Sequence, residues 1–154
     1  MLELSTVRDI VAIAGVFIGL TYYIINVRQQ QENRRTQLFL SMYQRFDDPR
    51  LMRTIIDSRD FEGMSFHDWN EKYGPNGDRE FYTNWVCLQN AMQGIGEMVR
   101  VGKVRPETVS TLMGAIPRLN WARNEPFIKG LREALDAPRA WDGCEDLANT
   151  LRDL

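Results

Sequence analysis

The side chains that most often carry out catalysis are scarce in this sequence. His67 is the only histidine, and Cys87 and Cys144 are the only cysteines. His67 stands beside Asp68 in the expected first turn of a short helix, so we interpret it as an exposed capping-turn residue without a positioned catalytic partner. The two cysteines lie far apart, with no Cys-x-x-Cys pair and no neighbouring histidine. We therefore expect two reduced core thiols and no metal site.

Sequence signatures of cofactor and nucleic-acid sites are also missing. The chain has no Gly-rich phosphate loop with a lysine, no dinucleotide fingerprint, and no His-Glu-x-x-His or Glu-x-x-His motif. A net charge of −2 and an isoelectric point near 5.5 argue against nucleic acid as a partner. The sequence thus predicts no catalytic residue, no cofactor and no metal ligand. The tryptophans fit core or core-edge positions better than a ligand cage: Trp69, Trp85, Trp121 and Trp141.

The most informative segment is a run of uncharged, mostly apolar residues from Ile10 to Val27. As a helix it would extend roughly 27 Å, close to the hydrocarbon thickness of a bilayer. Its far end carries Tyr22, Tyr23 and Arg28, which resemble an interfacial aromatic belt and a stop-transfer flank rather than a signal-peptide cleavage site. The segment is apolar on all sides, whereas a helix of a soluble protein usually keeps one polar face. It predicts a single membrane-spanning helix.

Basic residues near the span predict its orientation. Arg8 is the only arginine before the span, whereas Arg28, Arg34, Arg35 and Arg45 follow it. By the positive-inside rule the body after the span is cytoplasmic and the short N-terminal tail lies outside the inner (plasma) membrane. The first three arginines after the span are also candidates for contact with lipid headgroups.

Two glycines within the span offer a surface for helix association. Gly15 and Gly19 form a Gly-x-x-x-Gly pair, which lets the backbones of two membrane helices approach closely. We treat both residues as helix-packing candidates. The alternative is that they reflect only the general frequency of glycine in membrane helices.

The rest of the chain predicts an all-α fold. Gly and Pro are absent between Gly19 and Pro49, so one helix is expected from Ser5 to Phe46, with residues 28–37 as a polar stalk. Residues 1–27 then form the tail and transmembrane helix, and 38–154 a cytoplasmic helical bundle. Apolar residues recur at helical spacing along these residues, and no segment shows the sustained apolar–polar alternation that indicates a β-strand. The expected buried positions include Leu38, Phe39, Met42, Phe46, Leu51, Met52, Ile55, Ile56, Phe81, Trp85, Leu88, Met92, Ile95, Val99, Val109, Leu112, Met113, Ile116, Phe127, Ile128, Leu131, Leu135, Cys144, Leu147, Ala148 and Leu151.

Caps and breaks predict where the helices of the body begin and end. Asp48 before Pro49 should start one helix, and Ser65 with Asp68 a second by a variant capping box. A long helix should end near Gly102. Later helices should begin at Pro106, at Pro126 and after Pro138, with a stop near Pro117.

The C-terminal half resembles an uncharacterised family of prokaryotic single-span membrane proteins with a cytoplasmic helical domain, catalogued as a domain of unknown function. This resemblance implies a membrane-tethered helical domain and supplies no activity or catalytic residue. It rests on the segment 96–104, Trp121, the segment 126–128, Arg132, the segment 138–141 and the segment 145–147, together with the N-terminal span and the Arg- and Gln-rich stalk.

These features favour a non-enzymatic interaction module anchored in the lipid bilayer, a scaffold or accessory subunit. Its expected partners are further copies of itself or other membrane-protein subunits. Two alternatives stay open. One is a membrane-tethered sensor or effector, of a stress or defence type, whose helical domain binds a ligand. The other is an enzyme whose site follows no known motif.

Overall fold

The fold is all-α, as the sequence predicts. A computed structural model describes residues 4–154, with side chains from Thr6 onward; the first three residues of the expected N-terminal tail lie outside this range. Within it the chain forms helices, turns and loops but no β-strand. The helices are α1 (Leu4–Tyr43), α2 (Pro49–Asp57), α3 (Phe66–Tyr73), α4 (Arg79–Arg100), α5 (Pro106–Met113), α6 (Ile116–Ala134) and α7 (Asp142–Arg152), with 3₁₀ turns at Gln44–Asp47 and Ser58–Phe61.

The chain separates into two compact units after Gln37. The first unit is the long apolar and then polar part of α1. The second, Leu38–Leu154, contains the end of α1 and every later helix, and we call it the body. The expected continuous helix is present as α1 up to Tyr43, and the residues that follow, Gln44–Asp47, form a 3₁₀ turn instead of continuing the α-helix to Phe46.

The body is built around α4. This helix packs most extensively against α7 and also contacts α2 and α3, while α6 packs against α3 and α7. The core holds side chains from every helix of the body, and several are completely enclosed, which is the main source of stability for a domain of this size. The largest fully buried apolar side chains are Trp69, Trp85, Phe127, Leu88, Met92, Ile95, Ile128, Leu147 and Val109.

The predicted helix starts at Asp48 and Ser65 are confirmed. The Asp48 carboxylate accepts a hydrogen bond from the backbone N–H of Arg50 at 2.9 Å, with Pro49 in the first helical turn. A side-chain hydrogen bond from Arg50 lowers the pKa of Asp48. Ser65 Oγ accepts from the backbone N–H of Asp68 at 3.1 Å and donates to its carboxylate at 2.7 Å. In a standard capping box, a glutamate at this position accepts a hydrogen bond from the backbone N–H of the cap residue. The shorter Asp68 accepts one from the Ser65 hydroxyl instead.

The expected helix start at Pro126 is wrong. A single helix, α6, begins at Ile116, has Pro117 in its first turn, and continues through Pro126 to Ala134. Pro117 occupies the position where a missing N–H costs nothing, so it starts a helix rather than stopping one. Pro126 is tolerated inside because Phe127, Ile128 and the residues around them are anchored in the core.

The predicted buried face of α2 is only partly right. Leu51 is buried and Ile55 partly buried, whereas Met52 is 38% exposed and Ile56 54% exposed. The face that turns inward instead carries Thr54 and Ser58, whose hydroxyls donate to backbone carbonyls of their own turn at 2.9 and 2.7 Å. These bonds satisfy the hydroxyls locally, so the two polar residues can be buried at little cost.

A few apolar positions elsewhere also differ from the expectation. Phe39 and Phe46 at the start of the body are buried, but their neighbour Leu38 is 52% exposed. Leu112 lies near the end of α5 and Leu135 directly follows α6, and they are 43% and 61% exposed. The predicted core is otherwise found in the body.

Candidate functional site

The first candidate site is the apolar surface of α1. Within the described residues, one helix is long and apolar enough to cross a membrane, and none of its most apolar stretch is buried. Phe17 is 64% exposed and Ile18 is 70% exposed. The Thr21 hydroxyl donates to the Phe17 carbonyl at 2.8 Å, so this side chain presents no unsatisfied donor to an apolar environment.

Gly15 and Gly19 lie on this open surface. A Cβ added to either glycine would meet no atom of the chain outside its own helix turn within 4 Å. Because they are four residues apart in a helix, they share one face. The chain itself therefore leaves a shallow strip of exposed backbone along α1 at these two positions.

The lipid-headgroup candidates follow on the polar part of α1. Arg28, Arg34 and Arg35 are all exposed. The Arg35 guanidinium lies 3.9 Å from the carboxylate of Glu32, a surface pair that contributes little to stability. The three positive charges remain accessible to anions in the surrounding solvent.

The residues singled out for chemistry are not brought together. His67 is exposed in the first turn of α3, as predicted. Cys144 is 3% exposed, its Sγ donates to the backbone carbonyl of Gln89 at 3.3 Å, and burial raises the pKa of its thiol. Cys87, however, is exposed, so the expectation of a core thiol is wrong there. The apolar face of α4 contains Trp85 and Leu88, and position 87 falls outside it.

The tryptophans form part of the core, as predicted. Trp69 and Trp85 are completely buried, with ring centroids 5.0 Å apart, and Trp69 stacks on Phe127 at 5.0 Å. Trp121 is buried and Trp141 partly buried. Trp69 Nε1 is buried without a hydrogen-bond acceptor among the described residues, and aromatic rings surround it.

A buried polar network joins α4 to α6, and sequence reasoning missed it. Trp85 Nε1 donates to Asn124 Oδ1 at 2.7 Å. Asn124 Nδ2 donates to the backbone carbonyl of Asn120 at 2.8 Å, and Asn120 Nδ2 donates to Gln89 Oε1 at 2.9 Å. All these amides are buried. The sequence does contain one signal for this network. Gln89 lies one helical turn after Trp85 on the apolar face of α4, where helical periodicity predicts an apolar residue. A satisfied network of this kind fixes the register of two helices.

Gln93, on α4, caps the start of α7. Trp141, the residue before α7, has a left-handed backbone (φ 54°) and provides no side-chain cap. Gln93 Oε1, from α4, accepts from the backbone N–H of Gly143 at 2.7 Å, and Gln93 Nε2 donates to Asp142 Oδ1 at 3.1 Å. That bond is the main cause of the lowered pKa of Asp142. A neighbouring helix thus provides the cap that α7 lacks.

Glycines permit α4 and α7 to lie this close. A Cβ on Gly96 would overlap the backbone carbonyl of Gly143, which cannot move without displacing α7. The sequence interpretation of the Gly94-Ile95-Gly96 segment as a close packing contact is confirmed at Gly96. At Gly94 the neighbour is only the flexible end of Met42.

Arg132 holds the chain between α6 and α7. Its Nε donates to the Ala140 carbonyl at 2.8 Å, and Nη1 donates to the Glu145 carboxylate at 2.9 Å. Its guanidinium also lies over the Trp121 ring, 5.8 Å from the centroid. Arg132 therefore serves to position the loop before α7, with its charge neutralised inside the body.

The surface of the body has several open grooves, and two of them are large and of similar volume. One, of about 740 Å³, lies between the Gln44–Asp47 turn, the start of α2 and the exposed side of α4, and includes Cys87. The other, of about 690 Å³, lies between residues 59–64 and residues 122–127 of α6, and we call it the α6 groove. Within residues 4–154 no three His, Cys, Asp or Glu side chains are placed to hold a metal ion.

No protein-family model, curated protein or solved structure matches this chain. The resemblance to a family of single-span membrane proteins therefore stays a prediction.

Proposed function

We propose that the protein is a membrane-anchored, non-enzymatic interaction module, in which α1 inserts into the inner (plasma) membrane and the helical body recruits partners in the cytoplasm. The observation that carries the proposal is the apolar surface of α1, none of whose most apolar stretch is buried, on a chain whose body has a core of its own. Exposed apolar area of this extent is unfavourable in water and is stabilised by about 25 cal/mol for each Å² that a bilayer covers.

The interior of the body supports an interaction role over catalysis. Its buried polar groups bond one another across helix contacts, as Gln89, Asn120 and Gln93 do. Polar groups used in this way stabilise one arrangement of helices, and they are not free to bind a substrate. The surface of the body offers open grooves and exposed apolar side chains to a partner instead.

The second candidate function is a membrane-tethered sensor or effector whose body binds a ligand. The observation that favours it is the pair of grooves, each within the volume range of small-molecule sites. Both grooves are open and partly polar, which suits a surface contact better than an enclosed ligand. We therefore rank this function second.

The orientation of the span gives the first test. A reporter fused after Leu154 should be cytoplasmic and one fused before Met1 should be outside, because the basic residues follow the span. Replacing Arg28, Arg34 and Arg35 with lysine should preserve this orientation, whereas replacing them with glutamine should yield a mixture. Removal of the body by protease added to intact cells would contradict the proposal.

The glycine pair gives a second test, of self-association. Gly15→Ile with Gly19→Ile should weaken oligomer formation in membranes while insertion is retained, because isoleucine is favourable in a span but holds helix backbones apart. The matched control is Val16→Ile with Leu20→Ile, one position along the same helix. Single-molecule photobleaching in one lipid composition measures the stoichiometry. Equal stoichiometry for all three proteins would show that α1 does not mediate assembly.

A further inference from the structure

The α6 groove has an apolar base and a charged rim, which holds the two arginines Arg59 and Arg123 and one glutamate, Glu62. Phe61 and Phe127 lie at the base and are only 3% and 1% exposed. Trp69 stacks on Phe127, so the base is part of the packed core. Pro126 and the partly buried Met64 add apolar surface nearer the rim. The groove is shallow and open, which fits an extended chain lying along it more closely than an enclosed small molecule.

Two arginines line the groove without a carboxylate partner. Within the described part of the chain, neither Arg59 nor Arg123 forms an ion pair. Arg123 is partly buried, and its one hydrogen bond is a long one of 3.5 Å to the Ile55 carbonyl. Arg132, which is also partly buried, pairs with Glu145. Glu62 also lines the groove but pairs with neither arginine, so the lining carries one more positive than negative charge and is complementary to an added carboxylate.

The same groove presents an unused backbone acceptor. Pro126 has no N–H, so the carbonyl of Ala122, four residues earlier in α6, lacks its helical donor. Both residues are exposed and line the groove. An occupant that offers an N–H donor as well as a carboxylate and an apolar group matches all three features of the groove. A fatty acid offers no N–H, whereas a peptide chain offers all three.

We propose that the α6 groove binds a short extended segment of a partner protein that carries an acidic side chain beside an aliphatic one. The carboxylate pairs with Arg59 and Arg123, the aliphatic side chain packs against Met64 and Pro126, and a backbone N–H donates to the Ala122 carbonyl. This inference rests on the proposed function and specifies the chemistry of the partner.

The test uses the full chain in nanodiscs of a zwitterionic lipid, with empty nanodiscs as the blank. The probe is a fluorescein-labelled octapeptide in which leucine and glutamate alternate, acetylated and amidated at its ends. We expect saturable binding by fluorescence anisotropy. Arg59→Gln with Arg123→Gln should weaken it about tenfold or more, the scale of lost charge-assisted hydrogen bonds. The control Arg118→Gln, exposed on α6 away from the groove, should change the affinity by less than about twofold.

Two further comparisons separate the possible occupants. A peptide with glutamine in place of glutamate should bind about as weakly as the wild-type peptide binds the double variant. Sodium decanoate, which has a carboxylate and an apolar chain but no N–H, should not displace the probe as well as the unlabelled octapeptide does.

Several results would overturn the inference. They are the absence of saturable binding, equal binding by the double variant, and equal displacement by decanoate. Circular dichroism checks that the variants fold, and Arg59→Gln alone, at an exposed position, should still show a measurable loss. Recovery of the chain in the nanodisc fraction is scored separately, so failure of peptide binding is distinguishable from failure of membrane anchoring.

Discussion

Trp85→Ala should lower the free energy of unfolding of the body by about 3–5 kcal/mol, the range for removing a large buried aromatic side chain. Trp85 is completely buried, its ring contacts Trp69, and its indole N–H is bonded to Asn124. Alanine would leave a cavity in the core of the body and a buried Asn124 Oδ1 without the indole donor, and both effects lower the stability. Urea unfolding followed by the fluorescence of the remaining tryptophans measures the change.

Two variants separate the causes of that loss. Trp85→Phe retains an aromatic ring but removes the indole donor, so it should cost about 1–3 kcal/mol through the unsatisfied Asn124 oxygen. Leu119→Ala, at a position that is 47% exposed, should stay within about 0.5 kcal/mol of wild type. An unchanged unfolding midpoint for Trp85→Ala would show that Trp85 does not lie in a packed core.

The second large effect concerns α1. Phe17→Arg with Leu20→Arg places two charges near the middle of the apolar stretch, where each arginine costs about 2.5–3.5 kcal/mol to insert. Both side chains are exposed on α1, so the change removes no packing within the chain. We expect the variant to leave the membrane fraction with its body folded, as circular dichroism would report.

The matched control adds the same charges to the body. Leu119 and Leu135 are exposed leucines there, and Leu119→Arg with Leu135→Arg should leave membrane association unchanged. The comparison distinguishes a loss of the apolar span from a general effect of two added arginines.

The features predictable from sequence are those with local causes. The helix starts at Asp48 and Ser65 depend on side chains that bond a backbone N–H two or three residues away. The length of α1 follows from the absence of glycine and proline between Gly19 and Pro49. Such causes lie within one or two helical turns, so they can be read without knowing the tertiary fold.

The features that could not be predicted depend on distant parts of the chain. Burial of Thr54 in place of Ile56 depends on which face of α2 meets α4, and apolar side chains lie on both faces. Gln93 caps α7 across a separation of 50 residues. Pro126 falls inside a helix because tertiary packing around Phe127 outweighs the lost backbone hydrogen bond. Helical periodicity gives no information on these partners.

The same distinction applies to the candidate sites. The sequence alone indicates the apolar stretch, its two glycines Gly15 and Gly19, and the arginines that follow, because these residues are close together along the chain. The α6 groove combines residues 59–64 with residues 122–127, which are brought together only by the packing of the 3₁₀ turn Ser58–Phe61 against α6. No local pattern marks Arg123 as partly buried, so this site required the structure.

Flotation of the full chain on a density gradient, after membranes are washed with alkaline carbonate, tests the central claim most directly. Carbonate releases peripheral proteins and retains those with an inserted helix. The account predicts that the wild-type chain and the Leu119→Arg, Leu135→Arg variant float with the lipid, while the Phe17→Arg, Leu20→Arg variant remains at the bottom. A wild-type chain recovered in the carbonate supernatant, or a Phe17→Arg, Leu20→Arg variant that floats as wild type does, would contradict anchoring by α1.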